Sequence, residues 1–144
     1  MTEINQDYLL EQFRLAEEYL QRARGLANRS QVDYLSDPYA IDASVRELTV
    51  LFETAHNIAK HLIARNDWRP PLSKAEAFEI LGEQGVLPDD LIGSFREAAR
   101  FRNLVTYQTA VIKDEIVYQI LQDHLSDFER FLSDTALWLS RDNS

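Results

Sequence analysis

Asp37-Pro38-Tyr39-Ala40-Ile41-Asp42-Ala43-Ser44-Val45-Arg46-Glu47-Leu48-Thr49-Val50-Leu51-Phe52-Glu53-Thr54-Ala55-His56-Asn57-Ile58-Ala59-Lys60-His61-Leu62 is the stretch from which the architecture follows. Asp at an N-cap followed by Pro at the first helical position is a helix start, because proline has no N–H to leave unsatisfied there and its φ is already helical. Ile41, Val45, Leu48, Phe52, Ala55, Ala59 and Leu62 then recur at steps of three and four, flanked by Leu51 and Ile58. That spacing predicts one long helix with a wide buried face. Asn66-Asp67-Trp68-Arg69-Pro70-Pro71 ends it, since paired prolines remove donors and push the preceding residues toward extended backbone.

Upstream, Asn5 or Asp7 caps a first helix whose apolar positions are Leu9, Phe13, Ala16, Leu20, Ala23 and Ala27; it fades near Gly25 to Asn28, and Arg29 to Ser36 shows no periodicity. Downstream, Ser73-Lys74-Ala75-Glu76 reads as a capping box opening a short helix that runs to about Gly82 or Gly85. Pro88-Asp89-Asp90 restarts the chain into a helix with two acids in its first turn, where the helix dipole favours them. After Tyr107, Gln108 to Lys113 mixes polar and β-branched residues. Asp114 then caps a last helix with Val117, Leu121, Leu125, Phe128, Leu132 and Leu139 as its stripe, widened by Ile120, Phe131 and Trp138. No strand alternation or internal repeat competes with these signals. The expected fold is all-α: an antiparallel bundle of four long helices plus one short helix, in a single domain over residues 1–144.

A chain of 144 residues can bury a core of its own, and without cysteine it offers neither disulfide nor thiolate. The N-terminal residues carry no leader pattern and no apolar run approaches a membrane span, which leads us to expect a cytoplasmic protein with no membrane attachment. Net charge is −9, from 24 acidic against 15 basic residues, so a broad nucleic-acid wrap is disfavoured and a local anion pocket is not.

Such a pocket is suggested by Ser94 to Thr109, where three arginines and one glutamate fall between Ser94 and Arg102. As a helix, this segment gathers Leu91, Phe95, Ala98, Phe101 and Val105 into an apolar stripe and sets Arg96, Arg100, Asn103 and Tyr107 opposite. Arg102 lies within roughly 40° of Ala98 and so leans toward the packed side. A guanidinium there is costly unless it meets an acidic partner or an anion, and both options stand at this level. Arg96 and Arg100 are either a solvated face or an RNA-binding tract, and Leu104 and Tyr107 face away from the stripe, where a second copy of the chain would suit them.

His56 and His61 are five residues apart, which misses the spacing that brings two ligands onto one helical face, and His124 has no carboxylate-and-histidine pattern around it. We expect no metal and no cofactor. Asp37, Asp42, Asp89, Asp90 and Asp114 read as caps or exposed charges.

Ala55 to Ile63, Ala77-Phe78-Glu79-Ile80-Leu81 with Gly85-Val86-Leu87, Arg100-Phe101-Arg102-Asn103-Leu104-Val105 and Glu115-Ile116-Val117-Tyr118 together resemble the HepT/DUF86 branch of the HEPN superfamily over nearly the whole chain. The resemblance implies a helical homodimer acting as a metal-independent RNA endonuclease toxin, paired with a minimal nucleotidyltransferase (MNT, MntA-like) antitoxin that adds AMP to a motif tyrosine. The family motif is Arg, four residues, His, one residue, Tyr. Carried over without a gap, it places Arg102 and the following Asn103 at the catalytic arginine, Tyr107 at the histidine and Thr109 at the AMPylated tyrosine. A one-residue gap would align Tyr107 with the tyrosine and Val105 with the histidine, and neither register supplies an imidazole.

A tyrosine, protonated at neutral pH, donates a hydrogen bond but does not exchange protons as histidine does. The resemblance therefore implies a weakened or inactive ribonuclease with its binding frame kept, whether by natural degeneration or by alteration, and it leaves open whether the chain is an enzyme. Tyr107 is the substitute phenol for AMPylation, and Asn57, where relatives carry an acid, is a candidate to support Arg102. The alternatives are a non-catalytic helical binding partner of the nucleotidyltransferase and a plain helical scaffold.

Overall fold

In this computed structural model, which describes residues 6–107 and 112–142, the chain forms α1 (Gln6–Ala27), α2 (Gln31–Leu35), α3 (Pro38–Arg65), α4 (Lys74–Glu83), α5 (Asp89–Tyr107) and α6 (Asp114–Asp142). No strand occurs among the described residues. The all-α expectation holds, with four long helices, and a second short helix is added. That helix, α2, lies in the stretch without periodicity. Its five residues are too few to show a 3.6-residue repeat, and it rests instead on Ser30 accepting from the Asp33 N–H at 3.2 Å and on a fully buried Tyr34.

The helix ends follow the local chemistry. Asp37 caps α3 by accepting from the Tyr39 and Ala40 N–H groups. At α4 the capping box is shifted: Ser73 accepts from Glu76 N–H at 3.1 Å, while the Glu76 carboxylate reaches back to the Leu72 N–H at 3.0 Å. Gly85, at φ +79°, closes α4 by letting Val86 N–H donate to the Leu81 carbonyl at 2.8 Å. Asn5, one candidate cap of α1, lies outside the described residues, and Asp7 sits within its first turn.

α1 packs along α3 and α6, and α4 bridges α3 and α5. The helices converge on Phe78 of α4, whose ring stacks on Phe95 of α5 at 4.5 Å and lies 5.6 Å from Phe52 of α3 and 5.8 Å from Phe131 of α6. All four rings are buried, each contributing about 1.5–3 kcal/mol by leaving water.

The buried face of α5 differs from the expected stripe. Leu91, Ile92, Phe95 and Ala99 are buried, while Ala98, Phe101 and Val105 are half-buried, so the face is turned by roughly 70°. The reason is that α5 touches α4 on one side and α3 and α6 on the other, and Ile92 is drawn in against Gly82 of α4. On this face Arg102 continues the run through Leu91, Phe95 and Ala99.

A candidate phosphate-binding site around Arg102

Because Arg102 emerges toward the bundle, it meets what α3 offers at that level. Its Nε donates to Glu53 Oε1 at 2.7 Å, and Nη1 donates to the Thr106 hydroxyl one turn on. Glu53 follows the core residue Phe52 and so stands at the margin of the buried face of α3. Its carboxylate also accepts from Lys74 Nζ, at 3.1 Å to Oε1 and 3.3 Å to Oε2. Burial pushes the Glu53 carboxyl up, but the bonds from Arg102 and Lys74 outweigh it and hold the group below the usual carboxylate range. The Arg102 side chain remains 23% exposed, and Nη2 has no bond to a described residue.

The other residues singled out in the sequence are placed less closely. Arg96 pairs with Glu79 of α4 at 3.0 Å and Arg100 with Glu97 at 2.5 Å, so the cationic excess along α5 is balanced one acid per arginine. Asn103 is exposed. Asn57 points elsewhere, donating to Gln12 of α1 at 3.1 Å, and the support expected from it comes from Glu53, one turn earlier on α3. Tyr107 is the last residue of α5; its side chain, and all of Thr109, lie outside the described residues.

His56 lies three residues beyond Glu53 on α3 but is 7% exposed, with its ring among Phe52 and Phe78. Burial, and then the nearby charges of Lys60 and Lys74, lower its pKa to about 4, and Nδ1 is buried without a hydrogen bond. It is a packed neutral imidazole. His61 packs against Tyr8, and His124 pairs with Asp127 at 2.9 Å. Among the described residues no group of three or more His, Asp or Glu is arranged to hold a metal ion, and no helix is long and apolar enough to cross a membrane.

Beside Arg102 opens a pocket of about 400 Å3 between α3, α5 and α6, floored by Leu48, Phe52, Phe95 and Phe128. At its rim Leu104 and Ile116 are 40% and 50% exposed.

The family model described as Ribonuclease HepT-like matches residues 16–135, a span that contains Glu53, Lys74 and Arg102. The chain belongs to the HepT-like ribonuclease family. Among curated relatives of the family is the mRNA nuclease HepT of Shewanella oneidensis, 24% identical over 91 residues that cover 63% of this chain and 68% of that protein. Solved structures share the fold. A toxin-antitoxin with AMP-PNP superposes with a TM-score of 0.85 at 19% identity, covering 91% of this chain and 98% of that one. The tri-AMPylated Shewanella oneidensis HEPN toxin, in complex with its MNT antitoxin, gives 0.83 at 19% identity over 95% and 99%. YutE from Bacillus subtilis, a cytosolic protein of unknown function, gives 0.85 at 15% identity over 99% and 95%.

Sequence reading passed over Glu53 and Lys74. One signal existed for the lysine: a cation in the first turn of a helix opposes the dipole, a cost that an acid from another element offsets. Nothing local marked Glu53, which is one of several acids beside the α3 stripe.

Proposed function

We propose that the chain is a HepT-type RNA-directed toxin frame, working as a homodimer with a nucleotidyltransferase antitoxin, whose own RNA cleavage is weakened or lost. The observation that carries this reading is Arg102, oriented by Glu53 and Thr106 with one guanidinium nitrogen left unbonded among the described residues, in a member of the HepT-like ribonuclease family. A planar, permanently charged fork in that position suits the non-bridging oxygens of a phosphodiester. Cleavage without a metal also needs a proton acceptor for the 2′-OH and a donor for the leaving oxygen. At the motif position for that role stands Tyr107, and His56 is too buried and too weakly basic to serve.

RNA decay tests the proposal. Purified protein is incubated with an mRNA transcript beside the Tyr107→His/Thr109→Tyr variant, and cleavage is expected to rise by about 10²- to 10⁴-fold in the variant. No cleavage by either protein counts against the nuclease frame. For the partner, incubation with the nucleotidyltransferase and ATP is expected to add AMP at Tyr107, or at Thr109, read as a mass increase.

The ion pair between Arg102 and Glu53 favours a second reading, since an arginine held by an acid of its own chain is also what a structural role requires. In that case the chain is a non-catalytic binding partner of the nucleotidyltransferase, and the restored motif gains no activity.

A further inference from the structure

Glu53 Oε1 accepts from Arg102 Nε and Lys74 Nζ at once, so cations from α5 and α4 converge on one oxygen anchored on α3. One carboxylate neutralises one of them, and neither has a second acidic partner among the described residues. The acids of α4 are bound to other cations, Glu76 and Glu83 to Arg69 and Glu79 to Arg96. Lys60, exposed on α3 and in no ion pair among the described residues, lies close enough for its charge to act on His56, as does that of Lys74. Lys74 also opens α4, at the positive end of that helix dipole. In a chain of net charge −9, this is a local cationic excess built by three helices.

We propose that Lys74 is a second phosphate-binding cation beside Arg102, so that two cations sharing Glu53 grip an RNA backbone that Arg96 and Arg100, each matched to its own acid, do not. The assignment rests on the RNA-directed reading above and adds the residue that sets the path of the strand from α5 toward α4. Lys74 is 38% exposed at its side chain, which leaves room for a phosphate oxygen to replace one of its two contacts to Glu53.

The test is fluorescence anisotropy of a labelled single-stranded RNA 12-mer titrated with the full chain at several salt concentrations. Lys74→Gln is expected to weaken binding about 5- to 10-fold and to lower the slope of log K against log salt by about 0.7, while Lys74→Arg stays near wild type. Glu53→Gln, which removes the competing negative charge and keeps a hydrogen-bonding side chain, is expected to bind a few-fold more tightly, roughly the inverse of losing one contact. That rise is expected to shrink in the Glu53→Gln/Lys74→Gln double variant measured against Lys74→Gln, because Glu53→Gln frees both Arg102 and Lys74, whereas a purely structural Lys74 would leave it undiminished. Arg14→Gln, on an exposed face of α1, is the control for loss of any positive charge. Wild-type affinity and slope in Lys74→Gln, with binding lost in Arg102→Gln, overturns the role of Lys74 and leaves the RNA reading standing. No binding by the wild-type chain overturns both.

Discussion

Arg102 of α5 and Glu53 of α3, 49 residues apart, meet at 2.7 Å in a half-buried ion pair that also draws in Lys74 of α4. The pair compensates a charge that the packing of α5 brings toward the bundle, because Arg102 shares the face of Leu91, Phe95 and Ala99.

A double-mutant cycle on Glu53→Ala and Arg102→Ala is expected to yield a coupling of about 1 kcal/mol or less, since both side chains keep water contact, at 32% and 23% exposure. Urea unfolding of the four proteins measures it. The single Arg102→Ala variant then stays folded, which separates its effect on RNA from an effect on stability. A coupling of several kcal/mol would mean that the arginine is chiefly structural.

Acid lability above the carboxylate range is assigned to His56. Its folded pKa of about 4 lies below the unfolded value near ~6.5, so the unfolded chain binds the extra proton and stability falls as pH drops through that window. Between pH 7.5 and 5 the loss is expected to be about 2 kcal/mol. His61, also lowered by burial and by Arg65, adds in the same direction. His56→Phe, which keeps a ring among Phe52 and Phe78, removes most of the dependence. An unchanged pH profile of the urea midpoint in that variant would refute the assignment.

Gly85→Ala is expected to destabilise the chain by about 1–2 kcal/mol, because the φ of +79° that ends α4 is costly for any residue with a Cβ. Open space around the position means the penalty is conformational and not a clash. A thermal melt reads it, and Gly85→Asn should lose less, since asparagine tolerates the left-handed region better.

Leu104→Glu tests the proposed homodimer. Leu104 and Ile116 leave an apolar rim exposed beside the pocket, and a buried charge there should raise the dimer dissociation constant at least about tenfold. Sedimentation velocity across a dilution series shows the shift. A wild-type chain that sediments as a monomer at high concentration would remove the homodimer.

The start of α3, its apolar stripe and the last helix were legible from the residues because each depends on spacing and capping within one segment. Helix α2 was hidden by its length, and the face of α5 was misread by about 70° because the stripe near Phe101 competes with one through Ala99 and Arg102, and only the neighbours decide between them. The chemistry divides in the same way. Arg102, out of place on its helix, was visible in the sequence, as was the absence of an imidazole at Tyr107. That Glu53 and not Asn57 receives the arginine, and that Lys74 joins it, was settled by which turn of α3 and which end of α4 come to lie against α5. Periodicity fixes a helix and its apolar side, since those interactions recur every few residues along the chain. Pairing charges across three helices depends on rotations and axial offsets set by the packing of Phe52, Phe78 and Phe95, which no single segment contains.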